Sequence, residues 1–266
     1  MSIETISPLK ISHIRFALFD FDGTISLIRE GWQGVMIPVM VQLLLRAPRH
    51  ESEAELTTLV SDFVERLTGK QTIYQMIRLS EEISKRGGSP EDPLVYKKMY
   101  LDLLWERIRG RVAALKEKSV VAETMMVPGA LDILRALQQR NIPCYLASGT
   151  DEPYVLDEAA ALGVRPYFAG IYGAQDNYKQ FSKRMVIERI IAEHTLQSGE
   201  FVAFGDGYVE IEEAKAVGGL AVGVASNEAT RSGIDAWKRK RLIAAGADII
   251  APDFRDYQAL LKTLGL

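Results

Sequence analysis

The stretch Phe16-Ala-Leu-Phe-Asp20-Phe-Asp22-Gly-Thr24 decides how the rest of the chain is read. It starts as a short apolar run of the kind that fills a strand buried on both faces of a parallel sheet. It ends in two carboxylates one residue apart, followed by Gly and Thr. On an extended strand Asp20 and Asp22 would share one side, because side chains alternate with period two. Like charges so placed repel each other unless a cation neutralises them. Mg²⁺ takes oxygen ligands of this kind, typically one or two carboxylates plus substrate phosphate. Gly23 lets the chain turn just past the strand end, where ligands sit in open α/β sheets. A lone Asp-x-Asp also serves as a simple strand cap, so its meaning depends on the remaining chain.

Outward from this stretch the pattern changes twice. From about Leu27 to Met126 the apolar spacing is helical and no strand stands out. Helices are expected over residues 31–46, 53–67, 71–85 and 92–115, the third stopped by Gly87-Gly88. From Pro128 onward helices and strands alternate. Helices are expected at 128–140, 153–162, 183–194, 209–217 and 235–245. Strands are expected at 143–148, 168–172, 201–204, 220–224 and 248–251. Such alternation implies α/β architecture: a Rossmann-like parallel sheet with helices on both faces. The strand before the helical block belongs to the same sheet. The core is therefore discontinuous, residues 1–26 and 127–266, with an all-helical cap domain inserted at 27–126.

The 266 residues are enough for a sizeable core, and 47% apolar with 25% charged residues is ordinary for a globular protein. A net charge of −3 gives no electrostatic reason to expect nucleic acid or an anionic membrane as partner. The single cysteine, Cys144, excludes an internal disulfide and a cysteine-based zinc cluster, and its apolar surroundings point to a buried strand position. No secretory signal is visible in Met1-Ser-Ile-Glu-Thr, and the apolar run near 35–45 is too short for a bilayer. A cytoplasmic protein is the expectation. His13, His50 and His194 are scattered and are read as surface or packing residues.

Three further strand ends carry polar groups. The strand ending at Ala147 runs into Ser148-Gly149-Thr150, a hydroxyl and glycine-exposed N–H groups ahead of a helix, which together suit an anion. The strand ending at Phe204 runs into Gly205-Asp206-Gly207, repeating the acid-at-strand-end arrangement of Asp20. Glu210 follows one helical turn later and can face the same cavity. An N-cap with a favourable first-turn acid would account for Glu210 but not for both flanking glycines. Lys183 opens a helix, electrostatically the wrong end for a cation unless it faces a phosphate and the carboxylates. Lys179, in the polar loop before it, is the competing candidate.

This ordered set resembles the phosphatase branch of the haloacid dehalogenase-like hydrolase superfamily. Its four motifs match Asp20-Phe-Asp22-Gly-Thr24, Ser148, Lys183 and Gly205-Asp206 through Glu210. The resemblance implies that Asp20 attacks phosphorus to form an aspartyl-phosphate, and that Asp22 first protonates the leaving oxygen and then activates water. It implies Mg²⁺ held by Asp20, the Asp22 backbone carbonyl and Asp206. Ser148, Gly149 and Lys183 are then the phosphate-binding groups, Thr24 a support, and Glu210 a group that orients Lys183 or a metal-bound water. The implied substrate is a small phosphorylated metabolite, chosen by cap residues. Arg29 and Trp32, with Gln33, stand closest to the catalytic strand and are the candidates.

A phosphomutase would use the same residues. A true dehalogenase is disfavoured, having no use for a metal or for Asp22. A non-catalytic phosphometabolite-binding protein would not need every catalytic position filled. A dinucleotide-binding domain lacks its glycine fingerprint, since no strand is followed by G-x-G-x-x-G.

Overall fold

The computed structural model describes residues 3–9 and 13–266. The chain divides into two compact units: residues up to Glu30 together with Val112–Leu266, and Gly31–Arg111.

The smaller unit is helical. It holds α1 (Gln33–Leu44), α2 (Glu53–Leu67), α3 (Thr72–Lys85) and most of α4 (Pro93–Lys116). Each of the first three buries one face at helical spacing: Met36, Met40 and Leu44; Leu56, Val60 and Phe63; Met76, Leu79 and Ile83. Removing each such side chain from water is worth about 1.5–3 kcal/mol. Ser52 caps α2 reciprocally with Glu55. Past α3, Gly87 N–H donates to Ser84 and Gly88 N–H to Ile83, which closes off the last carbonyls.

The larger unit begins with β1 (Glu4–Thr5) and β2 (Phe16–Phe19). After the helical unit come α5 (Ala130–Gln139), β3 (Cys144–Asp151), α6 (Glu152–Ala161), β4 (Phe168–Ala174), α7 (Lys183–His194) and β5 (Phe201–Gly205). The chain ends with α8 (Tyr208–Ala216), β6 (Leu220–Val224), α9 (Ala236–Ala244), β7 (Ile249–Ala251) and α10 (Tyr257–Thr263). The sheet order is β1-β7-β6-β5-β2-β3-β4, and every neighbouring pair is parallel except β1 with β7. The α/β expectation holds. β2, β5 and β6 are buried throughout, which is why they read as unbroken apolar runs.

β2 lies between β5 and β3, so connections leave it in both directions and its carboxyl end opens at the switch point of the sheet. The stacked rings of Phe19 and Phe204, centroids 4.5 Å apart, with Phe254 edge-on to both, form the floor beneath that end. Where the chain leaves and rejoins the sheet, Leu27 N–H donates to the Met125 carbonyl at 2.9 Å and Val127 N–H to that of Ile25 at 3.0 Å. Cys144 is buried on β3, and burial pushes its thiol up to about 12, as its strand position implied. His194 stacks on Phe16 and meets the Tyr145 hydroxyl at 3.0 Å. Among the described residues no helix is long and apolar enough to cross a membrane.

Candidate active site

Asp20 lies one residue past β2. Its N–H donates to the Phe204 carbonyl at 2.9 Å, so the backbone is still tied to the neighbouring strand end. The carboxylate is buried and its Oδ1 accepts from Lys183 Nζ at 2.7 Å. Lys183 is the first residue of α7, behind the N-cap Ser182, whose Oγ accepts from Met185 N–H. From there its ammonium reaches a second acid, Glu210 Oε2, at 2.8 Å. Glu210 Oε1 accepts from Gly207 N–H at 2.7 Å, which fixes the side chain over the start of α8. A Cβ at Gly205 would lie 2.0 Å from Glu210 Cγ, so residue 205 must be glycine for Glu210 to face inward.

Asp206 is joined to the first motif through the backbone: its N–H donates to Thr24 Oγ1 at 3.0 Å. Gly23, at φ +77°, passes so close that a Cβ there would sit 2.2 Å from Asp206 Oδ2. A side chain at residue 23 is therefore excluded twice, by backbone conformation and by space. Lys238 Nζ lies 2.7 Å from Asp206 Oδ2 and 2.7 Å from Glu228 Oε1. Oxygen atoms of Asp20, Asp206 and Glu210 come within 4.8 Å of one another.

Asp22 has a different set of partners. The N–H groups of Ile25 and Ser26 both donate to the Phe21 carbonyl, so the chain coils after Asp20 instead of continuing as a strand. The expectation that period-two alternation sets the two carboxylates side by side is thus corrected, because β2 ends at Phe19. Asp22 Oδ2 accepts from Thr150 Oγ1 at 2.8 Å and from Ser148 Oγ at 3.4 Å. Its Oδ1 is buried without a hydrogen-bond partner, 3.8 Å from Arg29 Nε. Arg29 in turn is held by Glu158, with Nη2 at 2.6 Å and Nε at 3.0 Å from Oε1. The Glu158 side chain is 1% exposed. Burial pushes its carboxyl up to about 7 even though Arg29 opposes the shift.

A family model of haloacid dehalogenase-like hydrolases matches residues 14–218, from before β2 to just past α8. The chain belongs to this family. The curated phosphoglycolate phosphatase of Escherichia coli K12 is 24% identical over 221 residues, covering 81% of this chain and 82% of that protein. Two solved structures share the fold. A predicted phosphoglycolate phosphatase from Haemophilus somnus 129PT aligns at TM-score 0.62 with 15% identity, over 94% of this chain and 99% of its own. The β-phosphoglucomutase of Clostridium difficile aligns at TM-score 0.64 with 13% identity, over 95% and 97%. At such identities the structural likeness speaks for architecture alone.

The hydrolase fold brings together Asp20, Thr24, Lys183, Asp206 and Glu210, with Ser148 joined to Asp22 at the same end of the sheet. Gly149 lies within β3, which runs on to Asp151 instead of ending at Ser148, with an irregular register after Ala147. Lys179 sits apart, exposed on a 3-10 turn (Tyr178–Gln180), its ammonium 6.0 Å above the Tyr178 ring. Arg29 is committed to Glu158 beside Asp22. Trp32 is the half-buried N-cap residue of α1, and Gln33 opens that helix in the smaller unit. Four side chains at the site carried no expectation: Thr150, Glu158, Glu228 and Lys238. Lys238 occupies the first turn of α9, the same unfavourable end that marks Lys183, but the basic run Lys238-Arg-Lys-Arg241 reads as a solvated face.

The donor set suits a hard divalent cation. Two lysines, Lys183 and Lys238, face four acidic side chains, Asp20, Asp206, Glu210 and Glu228, so oxygen donors outnumber the cations. Burial raises the Asp20 carboxyl well above its usual value. Lys183 opposes that shift, while Glu210 and Asp206 add to it. Asp206 is raised in the same way by burial, against Lys238. Burial alone would discharge Lys183, yet Asp20 and Glu210 outweigh it and hold the ammonium above its usual value. Positive charge at this cluster favours the ionised form of Asp20, and Lys183 supplies part of it.

Proposed function

We propose that this hydrolase is a Mg²⁺-dependent phosphatase that cleaves a small phosphomonoester through an aspartyl-phosphate on Asp20. The observation that carries the reading is the buried Asp20 carboxylate, bonded to Lys183 and grouped with Asp206 and Glu210, while Asp22 is held separately by Thr150 and Ser148. Bound Mg²⁺ would be held by Asp20, Asp206 and the Asp22 main-chain carbonyl, and it supplies Lewis-acid neutralisation of carboxylate and phosphate charge.

In the first step a carboxylate oxygen of Asp20 attacks phosphorus and the ester P–O bond breaks. The bonding pair leaves on the ester oxygen, which takes the proton of Asp22. Thr150, Ser148 and the neighbouring Arg29 fix the position of Asp22 for this transfer. Ser148 Oγ and the Gly149 N–H bind phosphoryl oxygens, and Lys183 places positive charge where charge builds in transfer. In the second step Asp22, now a carboxylate, takes a proton from water as its oxygen attacks phosphorus, releasing phosphate and restoring Asp20. Glu210 keeps Lys183 in place throughout.

The substrate class is a small phosphorylated metabolite, and the name of the Escherichia coli relative puts phosphoglycolate first among those to try. Phosphate release from a panel of phosphomonoesters, headed by phosphoglycolate and including hexose and nucleoside monophosphates, tests the proposal. Mg²⁺-dependent release that vanishes in Asp20→Asn is expected. Interconversion of sugar phosphates without phosphate release would make the protein a mutase, and no turnover of any member would remove the phosphatase reading.

A further inference from the structure

Lys238, which pairs with Asp206 of the fourth motif, itself lies outside the four motifs. Lys238 is anchored at both ends: its N–H donates to the N-cap Asp235 at 2.8 Å, and its ammonium is shared by Asp206 Oδ2 and Glu228 Oε1, both at 2.7 Å. The Lys238 and Asp206 side chains are each 13% exposed, unlike an ordinary solvated lysine. The loop leading to α9 is fastened to the first motif. Ser226 Oγ donates to the Gly23 carbonyl at 3.0 Å, Ser226 pairs with Ile234, and Asp235 N–H donates to the Ala225 carbonyl. Lys238 therefore reaches Asp206 from a support that is itself tied to residue 23.

We infer that Lys238, held by Glu228, is a positioning residue that sets the Asp206 carboxylate for cation binding. The inference rests on the reading of Asp206 as a metal ligand. Asp206 is gripped on its main chain by Thr24 and on Oδ2 by Lys238, while the turn at Gly23 closes the space beside it. A cation bound through one carboxylate oxygen is compatible with an ammonium on the other. Groups that orient a ligand in this way typically change metal affinity 10- to 100-fold when removed. The opposite sign follows if Lys238 acts only as a competing positive charge, because its removal would then tighten binding.

Mn²⁺ binding to the purified protein, followed by calorimetry and by the electron-spin signal of free Mn²⁺, separates the two. Lys238→Met is expected to weaken Mn²⁺ binding by about 10-fold or more. Lys238→Arg, which keeps the charge and can still reach Asp206, is expected to recover most of that loss. Unchanged or tighter binding in Lys238→Met overturns the inference. Should that variant fail to give a wild-type near-ultraviolet spectrum, Lys238→Gln decides on the same signs: weaker binding supports, equal or tighter overturns. Asp206→Asn is the control for the underlying reading. If it binds Mn²⁺ as wild type does, Asp206 is not a ligand and both readings fall. If it loses binding while Lys238→Met keeps it, only the positioning role falls.

Discussion

Glu158→Ala should destabilise the protein far more than Arg29→Met, although the two residues form one ion pair. The pair is buried and double: Nη2 and Nε of Arg29 lie 2.6 and 3.0 Å from Glu158 Oε1, and the side chains are 8% and 1% exposed. Removing the acid leaves a guanidinium that cannot lose its proton, and stranding a buried charge costs about 3–5 kcal/mol. Asp22, 3.8 Å from Arg29, compensates in part, so the lower end, about 3 kcal/mol, is expected. For a unit of this size that corresponds to a melting point lower by roughly 6–12 °C. Arg29→Met leaves Glu158, whose carboxyl burial already pushes up to about 7, and this acid can simply take up a proton. Its cost should therefore be smaller near pH 6 and grow as pH rises. Calorimetric melts of both variants and of Arg29→Met with Glu158→Leu, in metal-free buffer at pH 6 and pH 8, provide the test. The double variant should be closer to wild type than Glu158→Ala is. A Glu158→Ala protein melting within about 2 °C of wild type at pH 8, where the wild-type acid is ionised, would refute the reasoning.

Four further outcomes are expected. Asp20→Asn should abolish phosphate release with an unchanged circular dichroism spectrum, because an amide is a poor nucleophile; activity above a few per cent of wild type would count against Asp20. Lys183→Ala should cost far more activity than Lys179→Ala, since Lys183 reaches Asp20 and Glu210 while Lys179 is exposed; equal losses in steady-state assays would contradict this. Gly205→Ala should displace Glu210, which a Cβ would meet at 2.0 Å, lowering both melting point and turnover, and a fully active variant would exclude the packing argument. The last outcome concerns pH and follows from the raised Glu158 value. Between the ordinary 4.5 and about 7 the folded state binds more protons than the unfolded one, so this group's contribution falls as pH rises through that window. The wild-type minus Glu158→Gln difference in denaturant-derived stability should show that fall, about 3 kcal/mol in all, and a flat difference would remove it.

The parallel sheet was legible because its strands are buried on both faces and so appear as unbroken apolar runs at 16–19, 201–205 and 220–224. α7 was legible to the residue, with Lys183 as its anomalous first position, and the structure adds Ser182 as its cap. β1 was not, since two residues paired antiparallel to β7 leave no periodic trace. Pro128-Gly129 was read as the helix opening, whereas α5 starts at Ala130 behind a left-handed Gly129. Pro suits both the first helical turn and the turn before it, so its presence does not fix the boundary. At the site, the four motif residues announce themselves by type and order. Thr150, Glu158 and Lys238 do not, because each acts through a partner far away in sequence: Asp22 for the first, Arg29 for the second, Asp206 for the third. Their single-residue environments, a turn hydroxyl, a helical acid and a basic run, all have ordinary surface explanations.

The central claim is that phosphorus passes through a covalent bond to Asp20, and the steric course of hydrolysis tests it most directly. A phosphorothioate monoester made chiral by its sulfur and two oxygen isotopes, turned over once in water carrying the third isotope, yields inorganic thiophosphate whose configuration can be read. Two successive in-line displacements, first by Asp20 and then by water, give retention, and that is the expected result. Inversion would mean that water attacks the substrate directly and that Asp20 is not the nucleophile.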